Sequence, residues 1–235
     1  KDAITKYSAD DIVYTNLITG VHGNYLKPSL ASAGFDPDNL VPGLLRDPSP
    51  RVRLMAGIAC GKLKSKDALE PLTELIVGAD NKGTVLRHAG ICGLAGAVTP
   101  SELKGLSKHS SEALRIAAVV ALRRQRAFEE LAAFLEDPSP QVMSDAARAL
   151  YDEASEETFT DHPNLLRALA NCLHPSRPTP VNVRAIAANR RLGTIEAARR
   201  LVAFLVTPKL DPALRVEALY SLESWPDTST LDPMD

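Results

Sequence analysis

Asp47-Pro48-Ser49-Pro50-Arg51-Val52-Arg53-Leu54-Met55-Ala56 is the stretch that decides the fold. Its first four residues recur as Asp137-Pro138-Ser139-Pro140, and there Gln141-Val142-Met143-Ser144-Asp145-Ala146 follows. Each copy comes after a Leu-rich segment and before an Ala-rich one. A Ser ahead of a Pro and an apolar-periodic run marks a helix start. The Ser is placed to accept backbone N–H bonds, and the Pro, lacking an N–H, suits the first helical position. The tetrapeptide therefore reads as a tight turn between two helices.

Working outward, one small pattern recurs six times: an aliphatic residue, then Arg, then a small residue three positions after the Arg. It reads Val52-Arg53 to Ala56, Leu86-Arg87 to Gly90, Leu114-Arg115 to Ala118, Val142-Met143 to Ala146, Val183-Arg184 to Ala187 and Leu214-Arg215 to Ala218. Only the fourth copy lacks the Arg. Successive copies lie 34, 28, 28, 41 and 31 residues apart. A period in this range indicates stacked helical units. Before each of these B segments lies an A segment with apolar residues at helical spacing: Leu40–Arg46, Ala68–Val77, Ser101–Lys108, Ala127–Glu136, Asn164–Leu173 and Ile195–Val206. Asp211 with Pro212, and Ser111 with Glu112, supply further B-helix starts. Gly96 and Gly193 read as residues following B-helix ends. Small residues at Ala56, Gly90, Ala118, Ala146, Ala187 and Ala218, with Leu122, Leu150 and Leu222 four positions on, predict one core seam. The fold expected is all-α, an α-α superhelix of about six helix pairs.

Composition agrees. Aromatic residues are 5% of the chain, which suits tightly packed helix pairs and disfavours a β-sandwich or barrel. Most of the 17 Pro fall between helical segments, where they do no harm. Pro42 and Pro71 are expected near helix starts. The net charge of −2 disfavours general nucleic-acid binding, which rests on phosphate contacts. No apolar run is long enough to span a membrane. The chain opens on Lys1 without Met and reads as a segment of a longer polypeptide. Residues 1–39 depart from the repeat and are expected to form a degenerate N-terminal cap or a linker. Residues 40–226 carry the repeats, and 227–235 form a C-terminal tail.

Residues 40–226, about four-fifths of the chain, resemble HEAT-type repeats of the short, phycobilisome-lyase-like class, whose units read DPsPxVRxxAxxALg. Asp47–Leu63 and Asp137–Leu150 carry this best. A narrower resemblance rests on Asn189-Arg190-Arg191-Leu192-Gly193, Leu214-Arg215-Val216-Glu217-Ala218-Leu219 and Trp225-Pro226. These are similar to the HEAT segment of large bacterial haem-binding proteins that join a sugar-dehydrogenase-like propeller, a HEAT region and a c-type cytochrome module. That resemblance alone implies an extracytoplasmic, periplasmic setting, with the family's chemistry held in modules outside these residues.

Five groups of side chains are candidates for function. Arg53, Arg87, Arg115, Arg184 and Arg215 repeat with the fold unit. They are expected to form an internal ladder, meeting acidic residues or turn carbonyls near Asp47, Asp80, Asp137 or Asp211. The alternative is a row of donors for a phosphate-bearing partner. Lys62, Lys64, Arg123, Arg124, Arg126, Arg190 and Arg191 fall at B-helix ends, where cations offset the helix dipole by about 0.3–1 kcal/mol each. They are also the candidate partner surface, for an acidic or nucleic-acid ligand, resembling the grooves of HEAT-like DNA-alkylation-repair glycosylases. Cys60, Cys92 and Cys172 are odd in number and unpatterned, and read as small core residues. His22, His88, His109, His162 and His174 are scattered, with no HExxH, CxxC or CxxCH, and read as surface or structural groups. Finally, two insertions lengthen the fifth unit, the acidic Asp152–Asp161 and the Pro-rich His174–Pro180. Either carries binding specificity or reflects a tolerant loop.

No phosphate loop, nucleophile elbow or nucleophile–base pair emerges from the motifs. The expectation is a non-catalytic protein-interaction or domain-spacing scaffold, with no catalytic, cofactor-binding or metal-binding residues and no cofactor in this segment. Its partner is a protein or a neighbouring domain of the same chain. A nucleic-acid-binding solenoid is the alternative, and an enzyme acting on a chromophore or modified amino acid the third class.

Overall fold

The computed structural model describes residues 36–152 and 156–225, together with Ser32, Gly34 and Ala154. Among the described residues there are thirteen α-helices, three short 3-10 turns and no strand. The cap or linker expected over residues 1–39 falls almost wholly outside them, as do His22, the tail at 227–235, Pro226, and Glu153 of the acidic insertion. The first described helix nevertheless reaches back to Pro37, inside that expected cap. Pro37 opens it, and the Leu40 N–H closes its first turn on the Asp36 carbonyl at 2.9 Å. The chain divides after Gln125 into two compact units.

The first unit holds α1 (Pro37–Gly43), α2 (Pro50–Leu63), α3 (Leu69–Ala79), α4 (Thr84–Ala97), α5 (Pro100–Gly105) and α6 (Glu112–Gln125), with 3-10 turns at Leu44–Arg46 and Leu106–Lys108. Helices α2, α4 and α6 carry the repeated pattern and pack in series, α2 on α4 and α4 on α6. Helix α3 lies against α4 and α6, and α5 against α6. The second unit holds α7 (Phe128–Leu131), a 3-10 turn at Ala132–Phe134, α8 (Pro140–Asp152), α9 (Glu156–Asp161), α10 (Pro163–Asn171), α11 (Thr179–Leu192), α12 (Ile195–Leu205) and α13 (Pro212–Glu223). Again the pattern-bearing helices pack in series, α8 on α11 and α11 on α13, while α10 covers α11 and α12 covers both α11 and α13. This is sequential helix packing of the kind a helical repeat produces.

The repeat's small residues explain the closeness of the contacts. Ala56, Gly90, Ala118, Ala146, Ala187 and Ala218 are all buried, and Leu122 and Leu150 are fully buried. Glycines take this furthest where α2 meets α4. A Cβ on Gly61 would collide with the Cys92 carbonyl, and one on Gly96 with the backbone of Gly61. Gly96 is thus a packing residue inside α4 rather than the residue after its end. The helix continues to Ala97 because the Val98 N–H still reaches the Leu94 carbonyl, at 3.1 Å. Gly193 does end α11 as expected, in the left-handed conformation with φ 61° that an L side chain resists.

The turn into each B helix is built the same way in both Asp-Pro-Ser-Pro copies. Asp47 Oδ1 accepts the Ser49 N–H, and Asp137 Oδ1 accepts the Ser139 N–H, each at 2.8 Å. His109 replaces the carboxylate ahead of α6, where its Nδ1 accepts the Ser111 N–H at 3.0 Å. Ser139 and Ser111 then cap their helices through Val142 and Leu114, each at 3.4 Å. Ser49 departs from expectation. It holds the extended N-cap backbone, but its hydroxyl makes no bond to the first-turn amides of α2. Asp211 caps α13 through Ala213 at 2.8 Å.

The A segments differ in how much of each is one α-helix. Ala127–Glu136 is a single α-helical turn followed by a 3-10 turn, and Pro42 lies late in α1 rather than near its start. Pro71 sits at the third position of α3, where an N–H has no helical partner to lose. A capping box that the motif reading passed over opens α5. There the Thr99 hydroxyl accepts the Glu102 N–H at 3.4 Å, and Glu102 accepts the Thr99 N–H at 2.9 Å.

Candidate functional site

Every ladder arginine hydrogen-bonds within the fold. Arg53 Nη1 donates to the Asp47 carbonyl at 2.7 Å and the Pro48 carbonyl at 3.1 Å. Arg115 Nη1 repeats this on His109 and Ser110, at 2.8 and 3.1 Å. The same rotamer direction at the same repeat position thus closes two turns of different sequence. Arg87 reaches Asn81 Oδ1 at 3.2 Å, and Arg215 the Thr207 carbonyl at 3.2 Å. Arg184 grips both carboxylate oxygens of Asp152, with Nε to Oδ1 at 2.9 Å, and donates to the Pro180 carbonyl at 3.0 Å. Asp152 closes α8, so this pair ties α8 to α11.

The fourth copy has Met143 where the Arg would be. Arg177, from the Pro-rich insertion, enters from the other side. Its Nη1 donates to the Leu135 carbonyl at 2.7 Å and lies 3.1 Å from the Met143 sulfur, while Nη2 pairs with Glu136. Asn182, fully buried, holds that loop by accepting the His174 N–H and donating to the Arg177 carbonyl, at 3.1 and 3.0 Å. One function of the insertion is therefore internal.

The basic set is divided between the units. Lys62 and Lys64 are exposed at the end of α2, and Arg123 and Arg124 are exposed in the last turn of α6. In the second unit, the Arg126 guanidinium stands 5.6 Å over the Phe128 ring, and that of Arg191 stands 4.6 Å over Phe159. Arg190 and Arg191 are half-buried. Two of these cations thus lie on aromatic faces rather than standing free for phosphate.

Arg124 is engaged differently. Its Nη1 lies 3.2 Å from Cys92 Sγ, and the same sulfur lies 3.5 Å from His88 Nε2. Cys92 thus departs from its expected place as a buried core thiol. Cys92 is only partly buried. Cys60 and Cys172 do fit the core reading. Both are buried free thiols, and burial pushes them up, to about 12 and about 11 respectively. His162 Nδ1 pairs with Glu129 at 2.8 Å, and His174 Nδ1 accepts the Ser176 N–H at 3.2 Å.

In the second unit, Phe128, Glu129, Glu130, Asp161 and His162 line an open polar cleft of about 420 Å³ between α7 and the α9 end. Among the described residues no three His, Cys, Asp or Glu side chains are grouped to hold a metal ion, and no helix is long and apolar enough to cross a membrane.

One position changes environment along the repeat. Four residues after the ladder position stand Gly57, Ile91, Val119, Ala147, Ala188 and Leu219. The first five are buried, and Leu219 is 49% exposed. On α13 it shares a face with exposed Val216 and Tyr220 at i, i+3, i+4 spacing. No family model matches this chain, and no curated protein matches it. The class that the structure defines is an all-helical chain with sequential helix–helix packing.

Proposed function

We propose that this chain is a HEAT-type scaffold, a non-catalytic module that docks or spaces protein partners or neighbouring domains. The observation that carries the reading is the exposed α13 face of Val216, Leu219 and Tyr220. Leu219 occupies the repeat position that is buried in every earlier copy. Between α2 and α4 the cover is another helix, since a Cβ on Gly57 would touch Ala89. The last copy presents the same register with no described helix over it. Large apolar groups clustered on one exposed face mark an interaction site. The ladder supports the same reading, because guanidinium groups spent on hydrogen bonds within the fold leave function to the other surfaces. The narrower resemblance would make the occupant a part of a cytochrome-linked, dehydrogenase-like bacterial protein. Nucleic-acid binding is the second class, and the engagement of Arg126 and Arg191 on aromatic rings weighs against it.

The test is site-specific photo-crosslinking in the native host, with a benzophenone side chain at position 219 and, as control, at exposed Glu112. Crosslinks from 219 to one defined protein segment, lost when Tyr220→Glu is added, support the scaffold reading. Equal labelling from both positions contradicts it.

A further inference from the structure

In the first unit a nucleophile, a base and a cation meet at the surface. Cys92 and His88 lie one turn apart on α4, with Sγ and Nε2 3.5 Å apart. Arg124 comes from another helix, α6, and brings Nη1 to 3.2 Å from the same sulfur. His88 and Arg124 are exposed, and Cys92 is half-buried, so small molecules can reach the group. A third helix passes close by. Gly61 of α2 lies directly against the Cys92 backbone, and the exposed Lys62 and Lys64 follow it in sequence. The thiolate is the reactive form of cysteine, and electropositive, partly open surroundings favour it. Cys60 and Cys172 are less accessible: both are buried, Cys60 beside Ser65 and Cys172 near the Arg177 and Glu136 pair.

We propose that His88, Cys92 and Arg124 form a thiol–disulfide exchange site for small disulfides that carry carboxylates. The Cys92 thiol gives its proton to His88 Nε2, and the sulfur attacks one sulfur of the incoming disulfide. The S–S bond of that disulfide breaks as the Cys92–S bond forms. Its other half leaves as a thiolate and takes the proton back from the imidazolium. One mixed disulfide and one free small thiol result, and no outside oxidant is consumed. Arg124 stabilises the anionic sulfur before attack, and its exposed guanidinium favours a reactant that carries carboxylates. The site is independent of the α13 face, so it stands or falls apart from the scaffold reading.

Oxidised glutathione is the probe. The folded chain is incubated with it near neutral pH, quenched in acid and mapped by peptide mass. One glutathione per chain is expected, on the peptide containing Cys92, with Cys60 and Cys172 unmodified. H88Q and R124Q, folded by circular dichroism, should each react about fivefold more slowly or worse, and R124K should recover most of the rate. Two results would overturn the site. One is wild-type rates in both H88Q and R124Q, which would leave exposure as the whole cause. The other is first modification at Cys60 or Cys172.

Discussion

Arg177 sets its guanidinium 3.1 Å from the sulfur of Met143, at the one repeat position where the ladder arginine is missing. It also donates to the Leu135 carbonyl at 2.7 Å, just before the turn that leads into α8. In the copies led by Arg53 and Arg115 an intrinsic guanidinium serves the carbonyl six residues ahead of itself, equivalent to Asp137 here, whereas Arg177 serves the carbonyl two residues earlier. Here the group arrives 42 residues downstream of the carbonyl it serves. An orphaned turn carbonyl costs about as much as a lost hydrogen bond, so a copy without its own Arg needs a donor from elsewhere.

Arg115→Ala should lower stability by about 1–3 kcal/mol, because a cation only 8% exposed loses its bonds to two turn carbonyls. Arg87→Ala should cost less, since its bond is a single one to the Asn81 side chain. Urea denaturation of the two variants checks the ranking. Equal losses would count against a ladder closed on backbone carbonyls.

Glycine substitutions should split by environment. Gly61→Ala and Gly96→Ala push Cβ into the facing backbone, so α2 and α4 must separate, at a cost of about 1–3 kcal/mol or more. Gly78 sits near the end of α3 with nothing within 4 Å of an added Cβ. Gly78→Ala should therefore stabilise, by up to about 1 kcal/mol through helix propensity. Thermal melts of the three variants read the contrast directly.

Glu102 gives a pH dependence whose sign follows from its cause. The Thr99 hydroxyl, and then the Thr99 N–H, hold its carboxyl below the usual glutamate value. A depressed carboxylate contributes stability above its unfolded value and loses it as pH falls through its folded value. Thr99→Ala should lower the Tm at pH 7, and the gap from wild type should close as the pH is taken below about 4. A gap that persists unchanged at a pH of about 3 would assign the loss to the Thr99 hydroxyl cap alone.

Local signals are legible in the sequence and long-range ones are not. Pro50, Pro140 and Pro212 each open a helix, because proline's missing N–H is harmless in the first turn. The burial of Ala56, Ala118 and Ala146 follows from helical spacing. Gly96 misleads because a glycine near a helix end suggests a stop, whereas the backbone of another helix needs the space. The His88 and Cys92 pairing has a signal, the i, i+4 spacing on one helix, but Arg124 has none, since its approach depends on how α6 packs on α4. Arg177 is hidden for the same reason. A lone Arg in a Pro-rich loop carries no trace in sequence of the turn it completes. The open α13 face needs burial as well as register, because Leu219 looks like any other apolar repeat residue.

That Arg177 stands in for the ladder arginine missing at Met143 is tested most directly by a double-mutant cycle on the two residues. Guanidinium chloride denaturation is measured for wild type, R177A, M143R and the double variant. The expected result is a loss of about 1–3 kcal/mol in R177A, recovered in large part when M143R restores the arginine at its repeat position. Additive losses, with the double variant weaker than either single one, would contradict the claim.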